Sequence, residues 1–294
     1  MNPKSRSLLL PFGLACSAAW LLAMLAMLAH GQEIQADRVS VHLSNPAHPA
    51  SVKASLKSGG ITVKGYDGEE VIVEAWFRTG KSSPGNKTDP KREPSKISET
   101  GATRLKVEEK NNVVTVGAGP SDRPIDLTIQ VPFKTSLNLG CMTNGAIFVE
   151  NVEGEIEASN QSGPVTLTNI SGVVIADSRN GTLLVRLSKV TPDKPMSFTA
   201  LNGDIDVTLP ADLKAKFKVA TQNGRAESDF DIGLTPRKPG LGDSGQGAGN
   251  YLILKNGGKE LVLFNIVTNV NGGGAELSFK SINGNVFLRK GAKQ

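Results

Sequence analysis

The stretch TNGAIFVENVEGEIEASNQSGPVTLTNISG, residues 143–172, has a glycine at every ninth position. The second and fourth residues after each glycine are apolar, and the pattern continues through the next unit. These apolar residues are Ile147, Val149, Ile156, Ala158, Val165, Leu167, Val174, Ala176, Leu183 and Val185. Side chains two residues apart in a strand share a face. Each nine-residue unit is therefore predicted to be a short strand with one buried face, closed by a turn.

The predicted turns are rich in glycine and asparagine, which tolerate the positive backbone φ angle found at tight corners. The same pattern of a glycine followed by two apolar residues recurs beyond Gly181, at longer spacing, and again near the end of the chain. The predicted turn residues are Asn144, Gly145, Gly154, Gly163, Gly172, Asn180, Gly181, Asn202, Gly203, Asn223, Gly224, Asn283 and Gly284.

The seventh residue after each glycine alternates between apolar and polar, as in Val152, Gln161, Ile170 and Arg179, so the true period is eighteen residues. The fold class is therefore predicted as all-β, with a single elongated β-solenoid, similar to a parallel β-helix, in which each strand stacks on its equivalent one coil away. Recurring asparagine at one corner favours this fold, because stacked amides can form a hydrogen-bonded ladder. An antiparallel β-meander or sandwich is the alternative, since Asn-Gly is also a hairpin signal.

The N-terminus has the layout of a secretory signal peptide: Lys4 and Arg6 precede a long apolar run, and AHG at residues 29–31 is a cleavage pattern. Residues 1–31 are predicted to be this signal, with an uncleaved membrane anchor as the alternative. Without them the net charge of +5 falls by two, to +3, and Cys141 is the only remaining cysteine. Such a weak charge does not indicate nucleic-acid binding, and one cysteine excludes an intramolecular disulfide.

The remaining chain divides into segments of different composition. Residues 32–79 form a predicted N-terminal β segment, residues 103–232 the repeat core, and residues 251–294 a β segment that completes the solenoid. Residues 80–102 and 233–250 are rich in Pro, Gly, Ser and Lys and lack periodicity, so they are predicted to be a flexible insertion and a flexible loop.

Four stretches, IDLTIQVPFKTSLNL, NGAIFVENVEGEIEAS, SGPVTLTNISG and LNGDIDVTLP, resemble the bacterial putative-adhesin family of secreted, repetitive β-domains with unknown function. The similarity covers roughly residues 105–232, and NGNVFLRK extends it at the C-terminal end. The resemblance implies a β-solenoid on an exported protein and supplies no catalytic residue, cofactor or metal ligand.

Candidate catalytic motifs lack the context that their chemistry requires. GDSG at residues 242–245 lacks a suitable histidine, and GLGDSG at residues 240–245 lacks the strand and helix of a dinucleotide site. His42 and His48 alone are a poor metal pair. Glu155 and Glu157 share a strand face, as an acid–base pair of a β-helical polysaccharide enzyme could, but an outward face gives two glutamates the same solvated environment. No catalytic, cofactor-binding or metal-binding residue is predicted.

Most outward positions of the repeat are polar, and four apolar residues break the pattern: Phe148, Val173, Ile175 and Leu184. They are predicted to be covered by a neighbouring loop or strand, or to form an interaction surface. The sequence therefore predicts a non-enzymatic, exported protein of the periplasm or cell surface that acts as a binding or scaffolding surface for an envelope protein or polysaccharide. A polysaccharide-active lyase or hydrolase and a self-assembling structural protein are the alternatives.

Overall fold

The computed structural model describes residues 37–78, 105–119, 123–143, 145–231, 251–256, 259–263 and 266–291, all within the compact unit Ala36–Gln294. These residues form strands, turns and loops without any helix, which confirms the all-β class. A helix long and apolar enough to cross a membrane is accordingly not found in this part of the chain. The predicted signal segment, the predicted insertion 80–102, the predicted loop 233–250 and Asn144 lie outside the described residues.

Twenty-one strands occur in the described residues. In chain order they are β1 (Asp37–His42), β2 (Ala50–Ser58), β3 (Ile61–Tyr66), β4 (Glu70–Phe77), β5 (Leu105–Lys110), β6 (Val113–Ala118), β7 (Ile125–Pro132), β8 (Thr135–Thr143), β9 (Ile147–Glu150), β10 (Glu153–Asn160), β11 (Val165–Asn180), β12 (Leu183–Val190), β13 (Met196–Asn202), β14 (Ile205–Leu209), β15 (Ala215–Thr221), β16 (Arg225–Ser228), β17 (Tyr251–Asn256), β18 (Lys259–Leu263), β19 (Ile266–Val270), β20 (Ala275–Asn283) and β21 (Val286–Lys290).

The strands form two rows, here called row 1 and row 2. Row 1 has the order β5-β6-β2-β8-β10-β11-β13-β20-β15-β19, and row 2 has the order β1-β4-β7-β3-β9-β11-β12-β14-β21-β16-β17-β18. The long strand β11 belongs to both rows, because its first half pairs with β9 and β12 and its second half with β10 and β13. The chain thus passes repeatedly from one row to the other.

Strands in the middle of each row pair in parallel, with partners eighteen residues apart in the repeat. Val165 of β11 lies between Ile147 and Leu183 in row 2, and Val174 pairs with Ile156 in row 1. Antiparallel pairs occur towards the ends of the rows, where β1, β4 and β7 pair in sequence, β5 pairs with β6, β19 with β15, and β18 with β17. A meander of hairpins would give antiparallel neighbours throughout.

The order of stacking departs from the order of the chain at two places. The unit formed by β2 and β3 lies between β6 and β7 on one side and β8 and β9 on the other. The C-terminal unit formed by β20 and β21 lies between β13 and β14 on one side and β15 and β16 on the other. The last strands are therefore inserted into the stack rather than added at its end.

The core lies between the two rows. All ten apolar residues of the predicted inward positions are at most 2% exposed. Inward residues of row 1 are small near the middle of the stack, as at Ala158 and Ala176, and aromatic further along it. The rings of Phe198 and Phe279 stack at a centroid distance of 5.1 Å, and Phe217 meets Phe279 edge-on at 5.4 Å. Burial of these rings contributes to stability where the inward side chains are largest.

The first corner, where strands in the middle of row 1 lead into row 2, is built on a column of glycines. From rung to rung the column runs through Gly59, Gly145, Gly163, Gly181, Gly203, Gly284 and Gly224. From Gly145 onward, a β-carbon on each of them would lie only 1.7–2.3 Å from the carbonyl oxygen of the glycine before it in this order. Any side chain would clash with backbone, so this column requires glycine for close approach.

Buried polar side chains hold the carbonyl groups of this column. Asn160 Nδ2 donates to Gly145 O at 3.0 Å, Ser281 Oγ to Gly203 O at 3.2 Å, and Thr221 Oγ1 to Gly284 O at 2.9 Å. Ser178 Oγ and Cys141 Sγ occupy equivalent positions and approach Gly163 O and Gly59 O at 3.1 and 2.7 Å. Burial raises the pKa of the Cys141 thiol, which keeps it a protonated donor.

An asparagine ladder runs along the outside of the first corner. Asn223 Nδ2 donates to Asn283 Oδ1, Asn283 to Asn202, and Asn202 to Asn180, each at 2.7 Å. Asn180 Nδ2 then donates to the backbone carbonyl of Gln161 at 3.1 Å, which closes the chain of donors. None of these four residues has a positive φ angle. A positive φ angle, which the sequence led us to expect, therefore does not explain the asparagines at this corner. The hydrogen-bonded ladder of side-chain amides explains them.

We expect Gly181→Ala to lower the free energy of unfolding by about 1–3 kcal/mol, because the new β-carbon would lie 2.3 Å from Gly163 O. To relieve this clash, the backbones of two neighbouring rungs would have to move apart. Urea-induced unfolding followed by circular dichroism measures the change. The matched control is Gly117→Ala in β6, where a β-carbon meets nothing within 4 Å. This control should leave stability unchanged or raise it by about 0.5 kcal/mol. Equal effects of the two variants would contradict the close-approach role.

Candidate functional site

A groove crosses the outer face of row 1 beside the second corner, where strands of row 2 lead back into row 1. It consists of four adjoining depressions of about 250, 540, 390 and 530 Å³. The first two share Glu155 and Val173, the second and third share Lys189 and Pro192, and the second and fourth share Lys134, among other residues. We call this continuous surface the row 1 groove.

The floor of the groove has an apolar part formed by Val173 and Ile175 of β11. Ile175 is 50% exposed, while Val173 is half-buried and packs against the core. Their neighbours on β10 are Glu155 and Glu157, which pair with them in parallel register. One coil earlier, the equivalent positions hold Glu155 and Glu157. The change from these glutamates to Val173 and Ile175 creates the apolar part of the floor.

The connection between β12 and β13, residues 191–195, borders the groove. The amide of Thr191 donates to Gly172 O at 3.1 Å, and Lys194 Nζ lies 3.7 Å from Glu155 Oε1. Asp193 has a φ angle of +58°, which turns the connection back towards row 1. Because Glu155 and Lys194 are 70% and 57% exposed, the ion pair adds little to stability. The longer spacing between turn glycines after Gly181 indicates an extra connecting segment. The sequence alone does not show that this segment contacts β10.

The four residues predicted as an interaction surface do not lie on one face of the molecule. Val173 and Ile175 lie in the row 1 groove, whereas Phe148 and Leu184 lie in row 2, where each pairs with Thr166. Phe148 and Leu184 are both half-buried. Successive nine-residue units belong to alternate rows, so outward residues of neighbouring units lie on opposite sides of the core.

The predicted turn glycines also divide between the corners. Gly145, Gly163, Gly181, Gly203, Gly224 and Gly284 belong to the first corner, whereas Gly154 and Gly172 lie at the second. A β-carbon on Gly172 would lie 2.1 Å from Gly154 O, so close approach occurs at both corners. The described asparagines among the predicted turn residues, Asn180, Asn202, Asn223 and Asn283, form the first-corner ladder.

A second asparagine ladder, which the turn pattern did not identify, lies at the second corner. Asn169 Nδ2 donates to Asn151 Oδ1 at 2.7 Å, and Ser188 Oγ donates to Asn169 Oδ1. Asn151 and Asn169 have φ angles of +59° and +54°, so asparagine here does serve a left-handed turn. The eighteen-residue spacing between them was the available signal, and both side chains line the 530 Å³ end of the groove.

The candidate carboxylates are held by different partners. Glu155 faces Lys194, and Glu157 Oε2 accepts a hydrogen bond from Asn138 Nδ2 at 2.6 Å. Asp206, a further outward carboxylate of the repeat, lies in row 2, where Arg289 Nε approaches its two carboxylate oxygens at 3.1 and 3.0 Å. His42 Nε2 lies 2.8 Å from Glu70 Oε1 on another strand pair. Across the described residues no group of three His, Cys, Asp or Glu side chains is arranged to hold a metal ion.

Asp177, at the exposed end of β11, has an unusual environment. Partial burial of the carboxyl group raises its pKa, and the positive charge of Arg179 only partly offsets this. When the pKa of a carboxyl group is higher in the folded state than in the unfolded state, the protonated group favours folding more than the ionised group does. The favourable contribution of Asp177 to the free energy of unfolding is therefore present below the ordinary carboxyl pKa and is lost as pH rises through the higher pKa of the folded state.

Asp177→Asn is therefore expected to raise the thermal unfolding midpoint at pH 7 and to leave it unchanged at about pH 3, where the parent carboxyl is protonated. Differential scanning calorimetry at both pH values measures the difference. Asp67→Asn, in the turn between β3 and β4, is the control for the loss of one negative charge, and Asp177→Asn should raise the midpoint at pH 7 by more than this control does. A gain at pH 3 equal to that at pH 7 would contradict the electrostatic cause.

No protein-family model and no curated protein matches this sequence. Solved structures that match this chain include two at 11% sequence identity. One is a putative cell adhesion protein from Clostridium sporogenes, with a TM-score of 0.42 over 87% of this chain and 100% of that chain. The other is a putative adhesin from Bacteroides fragilis, with a TM-score of 0.33 over 87% of this chain and 97% of that chain.

Proposed function

We propose that this protein is an exported, non-enzymatic protein of the cell envelope that binds an extended partner along the row 1 groove. The observation that carries the proposal is the groove itself, which crosses several stacked strands and has an apolar floor at Val173 and Ile175. Shallow, continuous surfaces with exposed apolar side chains are typical of partner-binding sites. Envelope proteins and polysaccharides are the two classes of partner.

The environment of the groove carboxylates supports binding over catalysis. Glu155 is 70% exposed and faces Lys194, and Glu157 accepts a hydrogen bond from Asn138. A catalytic acid and base need different environments that separate their pKa values, such as an apolar pocket around one of them. The groove gives both carboxylates solvent and a polar neighbour.

The mixed charge of the groove supports a partner that is not strongly charged. Lys134, Lys189 and Lys194 alternate along it with Glu153 and Glu155. A nucleic-acid site would require basic residues without interleaved acids, because phosphate contacts dominate its affinity. Export rests on the predicted signal of residues 1–31, and an envelope location rests on that prediction.

The test is retention of the purified protein on envelope fractions from the source cells. Ile175→Arg places a charge on the apolar floor and is expected to reduce retention at least about tenfold, which corresponds to a loss near 1.4 kcal/mol of binding free energy. Met142→Arg is the matched control, because Met142 is also 50% exposed on row 1 but lies outside the residues that line the groove. It should leave retention unchanged.

Unchanged retention of Ile175→Arg, in a variant that unfolds at the parent temperature, would contradict a role for the groove. The enzyme alternative makes a separate prediction. A polysaccharide lyase or hydrolase would release new reducing ends from envelope polysaccharide, and Glu155→Gln would abolish that release. We expect no release from either protein.

A further inference from the structure

The 530 Å³ end of the row 1 groove contains an exposed aromatic ring. Phe133 stands in the turn between β7 and β8 and is 45% exposed. The turn is held firmly: Thr135 is fully buried and its Oγ1 donates to Pro132 O at 2.7 Å, and Phe133 O accepts from the amides of Thr135 and Glu153 at 3.1 and 2.8 Å. The backbone that carries the ring is therefore held in place, and the ring is exposed to solvent.

The second-corner ladder ends beside this ring with an open donor. Ser188 donates to Asn169, and Asn169 donates to Asn151. Among the described contacts, the Asn151 amide nitrogen has no acceptor. The next rung is Gly65, which has no side chain, and a β-carbon there would lie 1.8 Å from Asn151 O and 3.1 Å from the Phe133 ring. The first-corner ladder differs, because its last amide donates to the Gln161 carbonyl.

The direction of the second ladder strengthens its last donor. Hydrogen bonds that run in one direction polarise one another, so the free N–H groups of Asn151 are better donors than those of an isolated amide. Lys134 and Glu153 line the same recess and add one positive and one negative group near the ring. The recess thus combines a flat apolar surface with donors and acceptors at its rim.

We propose that this recess binds a glycan chain, with one sugar ring stacked on Phe133 and one of its hydroxyl groups accepting a hydrogen bond from Asn151 Nδ2. Sugar rings present apolar C–H faces and a rim of hydroxyl groups, which match an aromatic ring beside polar side chains. This inference rests on the proposed function and names the class of partner for the same groove.

An extended peptide fits the recess less well. Peptides recognised by sheets pair through their backbone with a free strand edge. The recess lies at the second corner beside β8, β10 and β11, and these strands already pair on both sides with row neighbours. A partner lying across these strands therefore meets side chains, and those at the recess are a ring, two amides and two opposite charges.

The test measures binding of the whole protein to chitohexaose, cellohexaose, xylohexaose and mannohexaose by isothermal titration calorimetry. At least one hexasaccharide is expected to bind, and Phe133→Ala is expected to weaken that binding about tenfold through loss of ring stacking. Asn151→Asp should weaken it by a similar factor, because the carboxylate still accepts from Asn169 and tolerates the left-handed turn but donates nothing.

Two control variants make the same chemical changes outside the recess. Phe148→Ala removes a half-buried ring from row 2, and Asn111→Asp changes an exposed asparagine that also has a positive φ angle. Both should bind the hexasaccharide as the parent does. Binding of no hexasaccharide, or equal binding by the recess variants and the parent, would overturn the proposal.

A second arm separates this proposal from the proposed function. Envelope fractions are digested with proteinase K, which hydrolyses protein and leaves polysaccharide chains intact, and are washed free of the protease before retention is measured again. Retention that survives digestion and that Ile175→Arg abolishes supports the glycan. Loss of retention after digestion would overturn the glycan and leave the groove as a protein-binding surface. Retention that Ile175→Arg does not change would contradict the proposed function itself.

Discussion

Close contact between glycine backbones at the first corner determines how the rungs of this protein stack. From Gly145 onward, each member of the column lies against the carbonyl of the glycine before it, at a distance that excludes a β-carbon. This contact sets the spacing of the rungs at the point where the chain changes rows. Buried donors such as Asn160 and Ser178 then bind these carbonyls from inside, so the corner combines steric fit with hydrogen bonding.

Fixed corners leave the outward faces free to vary, and the differences between the two corners account for the candidate site. The first-corner ladder closes on a backbone carbonyl, so it is a structural device. The second-corner ladder ends at Asn151 beside an exposed ring and within a recess. The same amide chemistry therefore stabilises one corner and offers an open donor at the other, at the end of a groove whose floor is apolar.

The sequence predicted the all-β class and the inward residues, because an eighteen-residue period places the same apolar positions on the core in every unit. It did not reveal that β20 and β21 insert between earlier units, since units with equivalent inward positions can stack in more than one order. Nor did it group the outward residues: Phe148 and Ile175 looked alike in the repeat but lie in different rows. The recess also escaped prediction, because Phe133 and Asn151 meet only through the stacking of β8 on β10.

Amide hydrogen exchange at the first corner tests the close-contact constraint most directly. Gly181 N donates to Asn202 O at 3.1 Å and Gly203 N to Asn283 O at 3.0 Å, so both corner amides are hydrogen-bonded between rungs. They should exchange as slowly as the amide of Val185 within β12, which opens only with the fold. Exchange at Gly181 and Gly203 as fast as at Gly272, in the turn between β19 and β20, would show corners that are not tied to one another and would contradict the stacked column.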